Sequence, residues 1–209
     1  MTTENIDLSK LTPDVRHLND MREVLYDKNF AKNSDDLDLY FMYRKLKEEN
    51  GLKYNITIIS SKMLGCEFNK TAGHYHMGPE MELYNVIEGE AIFLMQKGDQ
   101  EKIEDVYVVK AKAGESAIIK SSYGHVTINS SDKDLKTQDW SPIETQSDYS
   151  LFKNSQGACY YYIKPASGPK GYPGFGEAQW IKNPNYKDVP EIRFEEPVVG
   201  VPEDLSFIK

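Results

Sequence analysis

The sequence predicts an all-β protein folded as an antiparallel barrel or jelly roll, and three observations carry that expectation. Short segments rich in β-branched residues, several alternating in polarity, recur through the central region, broken by Gly, Asp, Asn or Ser at close, regular spacing. No strand–helix alternation points to a parallel α/β sheet. Nothing repeats at a solenoid period.

Taken in order, residues 1–35 read as an N-terminal arm that packs on the barrel or on a partner subunit. Within it, Val15-Arg16-His17-Leu18-Asn19-Asp20-Met21 and then Val24-Leu25-Tyr26 fit either a short helix or an extended segment. The barrel is expected over residues 36–163. Its first strand is predicted at 37–46, followed by a polar turn over Glu48 to Gly51 and a second strand at 54–60. Further strands are predicted at 65–70, 82–88, 91–97, 106–110, 116–120, 125–129 and 159–163, whereas the polar stretch 130–150 reads as loop. Residues 164–209 form an irregular C-terminal extension, opening on the Gly/Pro-rich run Ala166 to Gly176. Its Trp180, Tyr186, Phe194 and Phe207 are expected to dock on the barrel or on a second subunit, since a disordered linker would be less aromatic.

With 209 residues, a net charge of −8 and 39% hydrophobic residues, the composition suits one soluble domain with extra segments at its ends. No basic stripe suggests nucleic acid. The N-terminus lacks the basic start and apolar run of a signal peptide, and no stretch is long and apolar enough to cross a bilayer, so a cytoplasmic protein is expected. Cys66 and Cys159 are too few for a disulfide framework and read as two buried free thiols. Because the global field is negative, an anionic substrate must be captured by local donors and by a metal.

The chemistry concentrates between Thr71 and Gly89. His74 and His76 share a face if the backbone is extended, because side chains repeat every second residue in a strand. Glu82, beyond the Gly78-Pro79 turn signal, opens the next apolar run, and His125 begins another at a turn. We prefer Glu82 to Glu80 because it begins the strand while Glu80 sits on the turn. Three imidazoles and one carboxylate suit one first-row divalent ion such as Fe2+, Mn2+, Zn2+ or Ni2+, which ligand type alone does not separate, and leave coordination positions for a small oxygenated substrate. A merely polar pocket is disfavoured, because such groups buried together without a metal need partners. His17, the fourth histidine, has no ligand-spaced neighbour and reads as a surface or packing residue.

The pattern Gly73-His74-Tyr75-His76, then Glu82 and Gly89, resembles the first cupin motif, and Gly114 through His125 to Asn129 resembles the second. Lys120 and Ser122 replace that motif's usual proline and glycine. The string Val15 to Met21, then Gly65-Cys-Glu-Phe-Asn-Lys-Thr-Ala-Gly-His-Tyr-His76, Glu82-Leu83-Tyr84 and His125-Val-Thr-Ile-Asn129 is similar to the cupin-type glucose-6-phosphate isomerase family over residues 13–163. The resemblance implies a cupin double-stranded β-helix and a metal held by His74, His76, Glu82 and His125. It also implies phosphate contacts at Thr57, Thr71 and Gly73, a sugar pocket lined by Tyr40 and Tyr84, and a homodimer. On the residues alone, Thr71 and Gly73 fit turn chemistry and Thr57 fits β-propensity. Where the family carries a Gly-His and a nearby Tyr after its last core strand, this chain has no histidine. Tyr162 and Tyr172 take the aromatic roles there and Lys170 part of the missing one.

The activity so implied is aldose–ketose isomerisation of glucose 6-phosphate and fructose 6-phosphate, through a cis-enediolate or by hydride shift, with Glu82 as the first candidate base and Tyr162 the second. Two alternatives are a cupin dioxygenase and a non-catalytic sugar-phosphate-binding protein, the latter motivated by the missing histidine.

Overall fold

Apolar side chains fill almost every position of Ala91–Met95 and Val106–Val109, so neither face of those segments can be left to water. The fold meets that demand by covering two sheets on both sides. In the computed structural model, which describes residues 6–164 and 176–209, the chain begins with strand β1 (Asp14–His17), a short helix α1 (Lys28–Asn33) and the hairpin β2 (Asp38–Glu49) and β3 (Leu52–Ile59). Asn50 and Gly51 turn that hairpin at φ 53° and 76°, the left-handed pair a two-residue connection requires. Two-residue strands β4 (Met63–Leu64), β5 (Glu67–Phe68) and β6 (Tyr75–His76) precede the main run of β7 (Glu82–Glu88), β8 (Glu90–Gly98), β9 (Ile103–Lys112), β10 (Glu115–Ile119), β11 (Gly124–Asn129) and β12 (Leu135–Pro142). Then come β13 (Ser147–Asp148), helix α2 (Ser150–Asn154), β14 (Tyr160–Ile163), β15 (Gln179–Lys182), β16 (Arg193–Glu195) and β17 (Val198–Val199).

One sheet runs β1-β2-β3-β12-β7-β10-β17 and faces a second of order β11-β8-β9-β16, a cupin-type jelly-roll barrel. Between them lie Val86, Phe93, Met95, Tyr107, Val109 and Ile119, joined by Leu18, Met21, Leu25 and Leu39. Alternation sends Ile92, Leu94, Val106 and Val108 to the outside, where Phe152, Tyr160 and Tyr186 cover them. Leu52, Tyr54, Ile56, Leu83 and Trp140 occupy the outer face of the larger sheet, under Leu205 and Ile208. Among the described residues no helix is long and apolar enough to cross a membrane.

Several expectations need correction. Residues 130–150 are not all loop, because β12 lies in the middle of the larger sheet between β3 and β7. Its polarity misleads, since several of its polar side chains find partners across the sheet. The Tyr54 hydroxyl donates to Gln138 Oε1 at 2.6 Å, Gln138 Nε2 to Asn85 Oδ1 at 2.9 Å, and Asn55 Nδ2 to Asp139 Oδ2 at 2.6 Å. The strand predicted at 65–70 is only the short β5 beside β4. The C-terminal extension is less irregular than expected: β15 pairs with β14, β16 runs parallel to β9, and β17 pairs with β10, covering edges that would otherwise be open. Trp180 and Tyr186 pack on the barrel as expected, whereas Phe194 and Phe207 are exposed. Cys159 is buried but Cys66 only partly so, and both are free. Ser122, at the family's glycine position, takes φ 67° in the turn closed by Tyr123 N–H to Lys120 O.

The arm is bound to the barrel by a buried charge pair. Lys70 Nζ lies 2.5 Å from Glu67 Oε1 and donates to Val24 O at 2.9 Å, while Glu67 Oε2 accepts Tyr26 N–H at 2.7 Å. Truncating one partner leaves the other charge buried, so Glu67→Gln is expected to cost about 3–5 kcal/mol. Glu67→Gln/Lys70→Met should recover most of that. Urea denaturation measures both, and a double variant as unstable as the single one would show that the charge pair is not the cause.

Candidate metal centre and substrate cavity

The local backbone explains how the imidazoles meet. His74 N–H donates to His125 O at 3.3 Å and His125 N–H to His74 O at 3.0 Å, so the two residues face each other as an antiparallel pair with ring centroids 4.4 Å apart. Tyr75, one residue on, points the other way, its ring against Phe152 and its hydroxyl on Gly98 O. His76 therefore returns to the His74 side. Gly73 lets the chain enter this arrangement. It adopts φ 79°, and a Cβ there would stand 2.7 Å from Val126 Cγ2 and 2.8 Å from the Phe152 ring. Glu82, the first residue of β7, brings Oε2 to 3.2 Å from His76 Nε2 and 3.4 Å from His125 Nε2. One donor atom from each of His74, His76, Glu82 and His125 lies within 4.8 Å of all the others.

These residues fit a metal. Two ligand atoms about 2.1 Å from one ion and at right angles stand about 3 Å apart, close to the His76–Glu82 and His125–Glu82 spacings. His125 presents Nε2 to this point, 3.4 Å from Glu82 Oε2, while its Nδ1, on the other side of the ring, is buried without a hydrogen-bond partner. His76 Nδ1 lies 3.2 Å from Glu80 O; donating there, it leaves Nε2 free to ligate. Glu80 thus contributes its carbonyl, not its carboxylate.

Electrostatics prepare the same donors. Burial is the largest influence on His74 and His125, lowering the first to about 4 and the second well below its ordinary value, so both are neutral at pH 7. For His76, burial is outweighed by the hydrogen bond and charge of Glu82, which raise it. Burial would raise Glu82, but the His76 hydrogen bond and the surrounding imidazoles hold it near 2. Asp139 is pushed well above the carboxylate range, first by burial and then by the neighbouring Glu82, so it carries a proton.

The cluster opens into a cavity of about 130 Å³ whose wall includes Tyr40, Thr57, Thr71, Gly73 and Tyr84, each anticipated from sequence. Tyr84 Oη lies 3.4 Å from His125 Nε2, and Tyr40 Oη accepts Ala72 N–H at 3.3 Å. Thr71 Oγ1 accepts Thr127 N–H at 3.0 Å. Tyr162 is not brought there. It stacks on Phe68 with centroids 5.0 Å apart, contacts Trp180 at 4.5 Å, and lines a separate surface cleft of about 920 Å³. Tyr149 stands near the cluster, its ring 5.4 Å from His74. Lys170 and Tyr172 lie outside the described residues. His17 pairs with Asp38 at 2.8 Å, away from the cluster.

The wall also holds Arg44, Lys53, Asn55, Asp139 and Tyr149, which sequence reasoning missed. Period two would have found some of them. If Thr57 faces the cavity, so do Asn55 and Lys53, and Tyr40 carries Met42 with it. Asp139 needs the pairing of β12 with β3, which puts it opposite Asn55.

The barrel and its buried three-histidine, one-carboxylate cluster define a cupin with a metal site. A family model described as glucose-6-phosphate isomerase (GPI) matches residues 15–170, about three quarters of the chain, and the chain belongs to that family. No curated protein matches the sequence. Among solved structures, the capsular polysaccharide assembling protein CapF from Staphylococcus aureus is similar at 16% identity and TM-score 0.43, over 56% of this chain and 30% of that one. Lactobacillus farciminis oxalate decarboxylase in its formate complex is similar at 15% and 0.41, over 53% and 31%. An oxalate oxidase in complex with glycolate is similar at 14% and 0.39, over 48% and 49%. The matches thus span half or less of those chains.

Because His76 binds a proton more readily than an ordinary imidazole and the metal must displace it, Mn2+ affinity should rise with pH until His76 is deprotonated and then level off. Calorimetry from pH 5.5 to 8.5 is expected to give one site per chain with that slope. Affinity independent of pH would contradict this assignment.

Proposed function

We propose that the protein is a metal-dependent aldose–ketose isomerase that interconverts glucose 6-phosphate and fructose 6-phosphate. The observation that carries this reading is a buried His74–His76–Glu82–His125 cluster opening into a cavity walled by hydroxyls and backbone, in a chain of the glucose-6-phosphate isomerase family. His74, His76, Glu82 and His125 would hold one divalent ion, Fe2+ in our reading, which supplies Lewis-acid stabilisation of charge on the C1 and C2 oxygens. Thr57, Thr71 and Gly73 bind the phosphate, and Tyr40 and Tyr84 orient the open-chain sugar. Glu82 and Asp139 share the proton chemistry. Glu82, the ionised carboxylate, takes the proton from one of C1 and C2 and returns it to the other, while the protonated Asp139 carboxyl donates its proton to the carbonyl oxygen and regains one from the adjacent hydroxyl, so that no proton is gained or lost overall. Asn55 Nδ2 donates to Asp139 Oδ2 and so holds that carboxyl in place. The missing downstream histidine is then no obstacle, because proton transfer is assigned within the barrel and Tyr162 is not needed for it.

The test is conversion of fructose 6-phosphate to glucose 6-phosphate by protein reconstituted with Fe2+ and then Mn2+, without oxygen. Turnover should require metal. Glu82→Gln and His74→Ala should each lower kcat/KM by about 100-fold or more, while Tyr162→Phe stays within about twofold, the size of a change remote from the chemistry. Solvent deuterium at C1 or C2 of the product marks proton transfer, and its absence marks a hydride shift. A fully metallated protein without turnover would overturn the isomerase reading. We also propose a homodimer, supported by exposed Phe194 and Val199 on the strands at the sheet margins. Sedimentation at micromolar concentration should give twice the chain mass, and a monomer would refute it.

A further inference from the structure

A phosphate dianion entering this cavity meets the Glu82 carboxylate in a chain of net charge −8, so binding it needs a cation at the end away from that carboxylate. The two cations on the cavity wall are committed elsewhere. Lys53 Nζ donates to Ile143 O at 3.2 Å and Thr145 O at 3.0 Å, and Lys53 pairs with Ser141, next to the strand position opposite Leu83 and so at the Glu82 end. Arg44 Nε pairs with Asp14 at 3.0 Å. Arg16 differs from both. It comes from the Val15–Met21 string that no site role has absorbed, and β1 pairing places it directly opposite Tyr40, at the far end of the sheet. Its guanidinium carbon is 5.9 Å from the Tyr40 ring centroid, and its Nε is buried without a hydrogen-bond partner. The nearby Asp20 carboxylate is occupied by His17 N–H at 3.0 Å. Tyr40 Oη in turn accepts Ala72 N–H, the middle of the Thr71–Gly73 turn.

We propose that Arg16 supplies the positive charge that binds the phosphate of the sugar phosphate, reaching past Tyr40 to the Thr71–Gly73 turn. This rests on the sugar-phosphate reading above and assigns the arm a part in specificity. A guanidinium suits the role because its fixed fork matches phosphate oxygens, and the unpartnered Nε–H is a donor still to be used. Edge-strand pairing holds the backbone while the side chain stays half-buried. The charge therefore lies beside Tyr40, whose side chain is on the cavity wall.

The test combines binding with kinetics on full-length protein. Calorimetry with inorganic phosphate on metal-free protein should show binding that falls roughly 10- to 100-fold in Arg16→Gln, the worth of one charge-assisted contact, and falls less in Arg16→Lys. In the metal-loaded enzyme, KM for fructose 6-phosphate should rise by the same factor with kcat within about threefold, since the lost contact is made equally before and during reaction. Thermal unfolding of both variants near that of the wild type shows that the fold is intact. If the wild type turns over fructose 6-phosphate but Arg16→Gln leaves phosphate affinity and KM unchanged, Arg16 is not the phosphate cation and the isomerase reading stands. If the wild type binds phosphate through Arg16 yet turns over no sugar phosphate, the isomerase reading fails while the anion site holds. A variant that raises KM through a loosened fold would lower the unfolding temperature and would be no better as Lys than as Gln, which overturns the proposal.

Discussion

Burying three imidazoles and a carboxylate in one place constrains everything around them. Each group loses hydration, and the loss is tolerable only if the four share charge and hydrogen bonds or surround a cation. Glu82 keeps its charge because His76 and the neighbouring imidazoles favour it, and the same burial keeps His74 and His125 neutral. Asp139, the next carboxyl along the wall, stays protonated first because it is buried and then because a second negative charge would stand beside Glu82. One burial event thus yields two neutral imidazoles, an anionic carboxylate and a protonated one within the same cluster.

Holding such a cluster requires a rigid frame, and the frame is covered on both sides of both sheets. The inner core packs between the sheets, while the arm and the C-terminal segments cover outer faces whose strands carry apolar residues at consecutive positions. The arm is more than a cover. Leu18, Met21 and Leu25 are fully buried in the inner core, and the Lys70–Glu67 pair ties Val24 and Tyr26 to the strand leading into the histidine turn. The buried node at Gln96 does similar work on the opposite face, donating to Tyr75 and Tyr186 and accepting from Cys159. It holds the tyrosine whose outward direction sends both flanking histidines inward.

The candidate site was legible where chemistry sits in a short sequence window. His74, His76 and Glu82 are within nine residues, and His125 follows a turn into a β-branched run, so spacing and residue type sufficed. Tyr40, Thr57, Thr71, Gly73 and Tyr84 came through family resemblance, and all five face the cavity. Tyr162 was misjudged because the face an aromatic takes within a strand follows from that strand's pairing, and in β14 Phe68 and Trp180 offer it stacking partners on the outer side. Asp139 was missed because the surrounding segment is polar, and polarity reads as loop until cross-strand partners are known.

By itself the sequence determined the strand periodicity, the positions of most turns and the identity of the four side chains that could hold a metal, because these depend on local backbone geometry and residue chemistry. Only the tertiary structure decided which strands are neighbours. That choice brings Asp139 opposite Asn55 and beside Glu82, sets Arg16 across from Tyr40, and turns three tail segments into sheet edges. Pairing between strands far apart in sequence is set by the sum of many buried contacts. No local window of residues contains that sum.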